Sequence, residues 1–340
     1  MPTPKNKRLL WQLPFLTLLV MGTILIIRQQ HATPYQHCRG LIFGTTYSIT
    51  YQYADDLQQE LVAAMQQVDS SLSMFNEQSV ISKVNQNKPV DLNDMFVDVF
   101  QLAQTVSKDT DGAFDITVAP LVNAWGFGFK YGQMPDQHAV DSLLAITGYQ
   151  KVRYDGKRIV KQDSRMMLDC SAIAKGYGVD AVARTLRDKG VKNYMVEIGG
   201  EVVTSGVSGK RLPWRIGVTK PTLDTTSVAS ELQTVLNITD KAMATSGNYR
   251  NYYYKGGKRY AHTIDPKTGR PVQHNLLSAT VLCDRCAVAD AYATAFMVMG
   301  FAKAQQLLAR HPELMAYLIY DDHGQNKVWY SPSLKDKIHE

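Results

Sequence analysis

Residues 276–300 read LLSATVLCDRCAVADAYATAFMVMG. Leu276–Cys283 reads as a strand and feeds an Ala-rich helix over Ala287–Met299. Downstream, a last helix ends near Arg310, before Pro312, and Leu314–Tyr320 is a last strand. Upstream, four strands follow one another with no helix between them: Asn193–Ile198, Val202–Val207, Trp214–Thr219 and Thr234–Ile238. Earlier still come helices. Asp55–Ser73 carries Leu57, Leu61, Met65, Val68 and Leu72 at spacings of four and three, one apolar face. Asp94–Lys108 carries Phe96, Val99, Phe100, Ala103 and Val106, and a third helix runs from Ser171 to Lys189-Gly190. Leu41–Tyr53 reads as a strand or hairpin. Helices and strands mix without regular β-α alternation, which predicts an α+β or irregular α/β body over 41–335 in preference to a doubly wound sheet.

Composition fits a packed globular chain. Of 340 residues, 45% are apolar and 20% charged, and four Cys exclude a disulfide-dense scaffold. The net charge of +6 includes Lys5, Lys7 and Arg8 at the extreme N-terminus, and no block of like charges occurs. A nucleic-acid partner is therefore not expected. There is no G-x-G-x-x-G after a strand, no Walker A, no H-E-x-x-H and no G-x-S-x-G, which removes the common nucleotide, zinc-protease and α/β-hydrolase readings.

Leu9–Ile27 is uncharged over 19 residues. As a helix it would be about 28 Å long, close to the hydrocarbon thickness of a bilayer. With cations before it, the segment predicts a cytoplasmic basic stretch over 1–8, a transmembrane anchor over 9–27 and a polar tether over 28–40 containing Pro34. The body that follows then faces the periplasmic (extracytoplasmic) side of the inner membrane. A cleaved signal peptide is the alternative, and it gives the same compartment.

Several constellations carry chemistry. Asp290 and Thr294 sit one helical turn apart and offer hard oxygens of the kind Mg²⁺ prefers. Asp290 is read as a solvent-facing position, so that its removal should leave the fold nearly intact. Asp169-Cys-Ser-Ala-Ile-Ala-Lys175 places an acid, a hydroxyl and a cation at a strand-to-helix junction, an anion site; the alternative is Ser171 as N-cap with Lys175 on the surface. Asp115 in Asp111-Gly-Ala-Phe-Asp could meet a ligand or cap a turn. Trp125-Gly-Phe-Gly-Phe could stack a ring or close a core edge, and the aromatic run after Asn248 reads as an amphipathic strand. His262, before Thr-Ile-Asp-Pro, titrates near neutral pH and could move a proton. Cys283-Asp-Arg-Cys286 could form a local disulfide, act as a redox pair or pack as two buried thiols.

Taken in order, these blocks resemble the ApbE family of FAD:protein FMN transferases from about Ile42 to Tyr320. The resemblance rests on GTTYSIT from Gly44, SMFNEQSVISKVN from Ser73, DGAFDITVAPLVNAWGFG from Asp111 and LDCSAIAKGYGVD from Leu168. It continues through EIGGEVVTSG from Glu197, ATSGNYRNYY from Ala244, HTIDPKTGRPV from His262 and DAYATA from Asp290. It implies a mixed α/β body with an FAD cleft, and Mg²⁺-dependent transfer of FMN from FAD to a Thr or Ser hydroxyl of a target protein, releasing AMP. Implied metal ligands are Asp290, Thr294 and the Ala172 carbonyl. Implied FAD contacts are Phe43, Phe75, Ala113, Phe114, Asp115, Asp169, Lys175 and Ile264, with His262 handling the proton. Phe43 stands where the family often has Met, and Phe75 where Tyr is common. Implied acceptors are subunits of the Na⁺-pumping NADH:quinone reductase or Rnf-type complexes. Family lipoproteins carry a Cys directly after the apolar segment; here the first is Cys38, so a helix anchor is expected instead of a lipid. The rivals are an FAD hydrolase, a non-catalytic flavin-binding protein and a membrane-tethered assembly factor.

Overall fold

The structure, a computed structural model, describes residues 14–23, 33–128, 134–221, 231–248, 252–255 and 258–339. Eight strands form one sheet: β1 (Tyr35–Ile42), β2 (Thr45–Gln52), β3 (Tyr194–Ile198), β4 (Glu201–Ser205), β5 (Lys241–Gly247), β6 (Leu276–Cys283), β7 (Met315–Asp322) and β8 (Gln325–Tyr330). Their order across the sheet is their order in the chain, and every neighbouring pair is antiparallel. The helices α1 (Gln58–Leu72), α2 (Asp94–Asp109), α3 (Ser171–Asp188), α4 (Cys286–Met299) and α5 (Phe301–Leu308) enter between strands. This is the α+β architecture that the irregular order of elements predicts.

Strand periodicity sorts side chains between two layers. On β6, Ala279, Val281 and Cys283 meet the helices, while Leu282 points to the opposite face. On β7, Ala316 and Leu318 face the helices; Met315, Tyr317 and Ile319 face away. The second face is covered by a three-stranded sheet of Trp214–Thr219, Leu232–Ile238 and Ile338–His339, which contributes Ile216, Val218, Leu236 and Ile238. The main sheet is thus sandwiched between helices and a smaller sheet. Helix α4 lies deepest: most of its residues are buried, as an almost wholly apolar helix must be.

One sequence expectation changes here. The first strand begins at Tyr35, inside the stretch read as a tether, and pairs with β2 through a two-residue turn at Phe43-Gly44. Both turn residues have positive φ (51° and 72°), as a two-residue hairpin turn requires. The N-terminal apolar segment is described only over residues 14–23, which are helical and mostly exposed; the rest of Leu9–Ile27 lies outside the described residues. Among the described residues no helix is long and apolar enough to cross a membrane. The expected Thr222–Glu231 loop also falls almost entirely outside them, as does part of the aromatic run after Asn248.

A polar cluster pins α2 and α4 to the turn before β7. Tyr292 Oη donates to Asp109 Oδ2 (2.7 Å), whose Oδ1 lies 3.1 Å from His311 Nε2, and His311 Nδ1 lies 2.7 Å from Glu313 Oε1. Partial burial pulls the His311 pKa down, but the Glu313 hydrogen bond and the Asp109 charge outweigh it and the net shift is upward. A pKa raised on folding adds stability that is fully present below the unfolded value, about 6.5, and is lost as pH rises through the folded value. His311→Ala should therefore lower stability by about 1 kcal/mol at pH 5.5, and by less at pH 8.5. Thermal melts of both proteins at the two pH values measure this; an equal loss at both would show that the imidazolium charge contributes nothing.

Candidate active site

Helices α3 and α4 meet at Gly176. A Cβ on Gly176 would lie 2.5 Å from the Cys286 carbonyl oxygen and 2.8 Å from Asp290 Cβ. Lower on α3, Asp180 supplies the N-terminal cap of α4: its Oδ1 accepts from Cys286 N (2.8 Å) and its Oδ2 from Ala287 N (3.0 Å). No residue local to α4 makes that cap with a side chain. Burial raises the Asp180 pKa, while the two amides pull it down by stabilising the carboxylate.

One turn along α4 from Cys286 stands Asp290, and one further turn places Thr294 on the same face. Asp290 is 2% exposed. This corrects the reading of it as a solvent-facing position: the carboxylate is built into the interior. Its Oδ2 accepts the Gly176 N–H at 3.0 Å. In a regular α-helix that amide donates to the carbonyl four residues back, which is Ala172. A second acceptor for the amide weakens its hold on the Ala172 carbonyl, one of the oxygens the sequence assigned to a metal. Thr294 Oγ1 lies 3.1 Å from Ser246 Oγ on β5.

Lys175 is half-buried and paired, not free on the surface. Its Nζ donates to Glu201 Oε1 at 3.0 Å and lies 3.9 Å from Asp290 Oδ2. Burial alone would lower the Lys175 pKa; the charges of Asp290 and Glu201 outweigh it, so the ammonium stays protonated. Glu201, 3% exposed, was not singled out from sequence, although it follows Gly199-Gly200 at the start of β4. Burial pushes its carboxyl up, against the pull of Lys175, and its Oε2 has no hydrogen-bond partner among the described residues. A charged residue opening a strand directly before two Val, straight after a Gly-Gly turn, was the available signal.

The remaining predicted residues arrange around the N-terminal half of α3. The Phe43 ring packs over Gly178, where a Cβ would sit 2.5 Å from it. Asp169 N donates to the Ile116 carbonyl (2.6 Å), tying the Ala113-Phe114-Asp115 run to the head of α3. Asp169 Oδ1 accepts from Ser171 N (2.7 Å), so Asp169, and not Ser171, serves the first turn. Asp115 caps a turn: Oδ1 accepts from Thr117 N and Oγ1 (2.8 and 2.7 Å), and Oδ2 from Tyr149 N (2.7 Å). Three donors thus occupy most of its carboxylate's acceptor sites. Phe75 is 74% exposed on the turn after α1.

His262 and Ile264 belong to a neighbouring unit. Ile264 is buried with Leu121, Trp125 and Val140, and the His262 ring meets Phe127 edge-on at 6.4 Å. Trp125 closes a core edge, its Nε1 donating to the Gly269 carbonyl (2.7 Å). Thr263 Oγ1 donates to Asn248 Oδ1 (2.5 Å), which anchors the His262 segment two residues beyond Ser246, the partner of Thr294. Beside this segment a cleft of about 520 Å³ is lined by Trp125, Tyr260, Arg270 and His274 among others. Cys283 and Cys286 do not pair; all four Cys are free and buried. Burial raises the Cys283 thiol to about 11, away from redox reactivity.

Among the described residues no three His, Cys, Asp or Glu side chains gather into a metal cage. Asp290, Thr294 and the Ala172 carbonyl instead offer a partial set of hard oxygens around one carboxylate. That fits Mg²⁺, which commonly takes one or two protein carboxylates and completes its octahedron with water and phosphate oxygens.

The ApbE family model matches residues 43–319. An FAD:protein FMN transferase of Vibrio cholerae serotype O1 is 38% identical over 310 residues, 88% of this chain and 91% of the relative. One of Escherichia coli K12 is 34% identical over 319 residues, 90% of each. Among solved structures, the flavin transferase ApbE from Vibrio cholerae superposes with a TM-score of 0.81 at 35% identity, covering 89% of this chain and 99% of that one. The apo form of the Pseudomonas stutzeri flavinyl transferase ApbE gives 0.80 at 31%, covering 89% and 96%.

Proposed function

The chain belongs to the ApbE family and is an FAD:protein FMN transferase, and from that premise we propose that it moves FMN to a Thr or Ser hydroxyl of its target, releases AMP and depends on Mg²⁺. The observation that carries this reading is the buried Asp290, with Thr294 one turn on and Lys175 beside it. Asp290, Thr294 and the Ala172 carbonyl would hold the ion. Bound there, Mg²⁺ supplies charge neutralisation at the FAD pyrophosphate.

The chain's own groups do the rest. Lys175, half-buried between two buried carboxylates, adds positive charge for the phosphates. Phe43, held at a positive φ against α3, and the exposed Phe75 offer ring faces for the flavin or the adenine. Ala113, Phe114, Asp115, Asp169 and Ile264 shape the remaining wall. The target hydroxyl oxygen forms a bond to the FMN-side phosphorus as the pyrophosphate P–O bond breaks. AMP departs with the bridging oxygen, and His262 takes the hydroxyl proton.

Position in the cell follows from the 19-residue uncharged N-terminal span with cations before it. The enzyme is anchored in the inner membrane and works on its periplasmic side. Its acceptors there are flavin-bearing subunits of the Na⁺-pumping NADH:quinone reductase or of Rnf-type complexes. Incubation with FAD, Mg²⁺ and such a subunit should raise the acceptor's mass by one FMN. Release of FMN and AMP with no mass gain would instead identify an FAD hydrolase. His262→Ala should slow transfer by about 10²–10⁴-fold, the usual contribution of a general base, with FAD affinity unchanged in a fluorescence titration. Undiminished transfer at neutral pH would remove His262 from the proton path.

A further inference from the structure

We propose that Glu201 is a positioning residue: it draws the Lys175 ammonium away from Asp290 and so leaves the Asp290 carboxylate available to a divalent cation. This rests on the metal reading of Asp290 above, and it adds a residue that reading does not contain.

The geometry is that of one ammonium between two buried carboxylates. Lys175 Nζ is within hydrogen-bond distance of Glu201 Oε1 (3.0 Å) but 3.9 Å from Asp290 Oδ2, a separation for charge attraction without a hydrogen bond. Asp290 Oδ2 spends its hydrogen bond on the Gly176 amide instead. Glu201 is held for this task. It is the first residue of β4, directly after the two-residue turn Gly199-Gly200, so the sheet fixes its backbone. The Lys175 stem runs along Gly199, where a Cβ would lie 3.4 Å from Lys175 Cδ. The ammonium therefore reaches Glu201 from a guided direction.

Charge counting gives the consequence. With both carboxylates ionised against one ammonium, the cluster carries one negative charge in excess, and Glu201 Oε2 has no hydrogen-bond partner among the described residues. Buried charge without compensation is costly, so the cluster is built to receive a cation. Without the Glu201 charge, Asp290 becomes the only anion near the Lys175 ammonium. The ammonium then closes the remaining ångström or so onto Oδ2 and competes with the ion for it.

The test is Mn²⁺ binding to the full-length protein without FAD, read from the free-ion EPR signal, so it needs no turnover. Glu201→Gln keeps shape and removes charge; it should weaken Mn²⁺ by about tenfold or more, the usual effect of losing a group that orients a ligand. Glu201→Asp keeps the charge and should retain most of the affinity, which guards against a simple packing defect. The decisive variant is the pair Glu201→Gln with Lys175→Met: with the competitor gone, affinity should return to near the wild-type value. Unchanged affinity in Glu201→Gln overturns the proposal. So does a double variant as weak as Glu201→Gln, which would mean that Glu201 acts on the ion directly. An Asp290→Asn arm separates the two layers. If it binds Mn²⁺ as wild type does, the metal reading falls and this inference with it; if it loses binding while Glu201→Gln does not, only the role of Glu201 is lost.

Discussion

Asp290→Ala is expected to reduce FMN transfer by at least about 10³-fold, since the several kcal/mol that a Lewis-acid ion contributes would be lost with the one charged ligand proposed for it. The fold should suffer too, which the sequence alone did not suggest. Asp290 is buried, and its Oδ2 satisfies the Gly176 amide while facing the Lys175 ammonium. Truncation leaves that amide with one acceptor fewer, for a loss of about 1–3 kcal/mol. Two effects offset part of it: Ala is the better helix former by some tenths of a kcal/mol, and the like charge of Glu201 loses its neighbour. Asp290→Asn separates activity from stability, because its amide oxygen can still accept from Gly176 while the charge is gone. Transfer across a Mg²⁺ titration, with circular dichroism melts alongside, should show both variants inactive and the Asn variant more stable than the Ala variant. Full activity of Asp290→Asn at low Mg²⁺ would falsify the metal assignment.

The elements most legible in the sequence were those whose pattern is local. The apolar spacing that marks α1 and α2, the strand-then-helix change at β6 and α4, and the Asp290–Thr294 spacing all depend on neighbours within a turn or two. The site itself is not local. Lys175 meets Glu201 and Asp290 only because α3 crosses α4 beneath the β3–β4 turn, and Asp180 caps a helix 106 positions away. Asp290 looked solvent-facing because a lone carboxylate on a helix usually is; the helix is buried nearly all round, which overrides the residue's preference. Residues 35–40 looked like a tether for a different reason. β1 is an edge strand with one neighbour, and most of its residues keep some exposure, so a polar composition is what such a strand tolerates. The turn after it has no Asn-Gly or Asp-Gly signal, and Phe43 occupies a positive φ against its own preference. That local conflict falls on a residue assigned to the flavin, which is where such conflicts concentrate.

Gly176→Ala is expected to perturb the site strongly although it adds only a single methyl group. Ala is ordinarily the better helix residue by about 1 kcal/mol, so helix propensity alone would forecast a gain in stability. The packing forecasts a loss. The new Cβ would stand 2.5 Å from the Cys286 carbonyl oxygen, 2.7 Å from its carbonyl carbon and 2.8 Å from Asp290 Cβ. Two of those atoms are backbone of α4, so no rotamer change relieves the contact and the helices must separate by several tenths of an ångström or more. Neither is free to move cheaply: Asp180 ties α3 to the first turn of α4, and the apolar residues around α4 are close-packed. Overpacking of this kind costs about 1–3 kcal/mol, with more where backbone is involved, so the net change should be destabilising by roughly 2 kcal/mol. Function should fall further than stability. Separation stretches the 3.0 Å Gly176–Asp290 hydrogen bond and shifts Asp290 against Lys175 and the Ala172 carbonyl, groups of the proposed ion site. Displacements near 1 Å can cost about 10²-fold in rate. Thermal melts and Mn²⁺ binding on the same sample check both parts. A Gly176→Ala protein that melts above wild type and binds Mn²⁺ equally well would mean that α3 and α4 do not approach as closely as described.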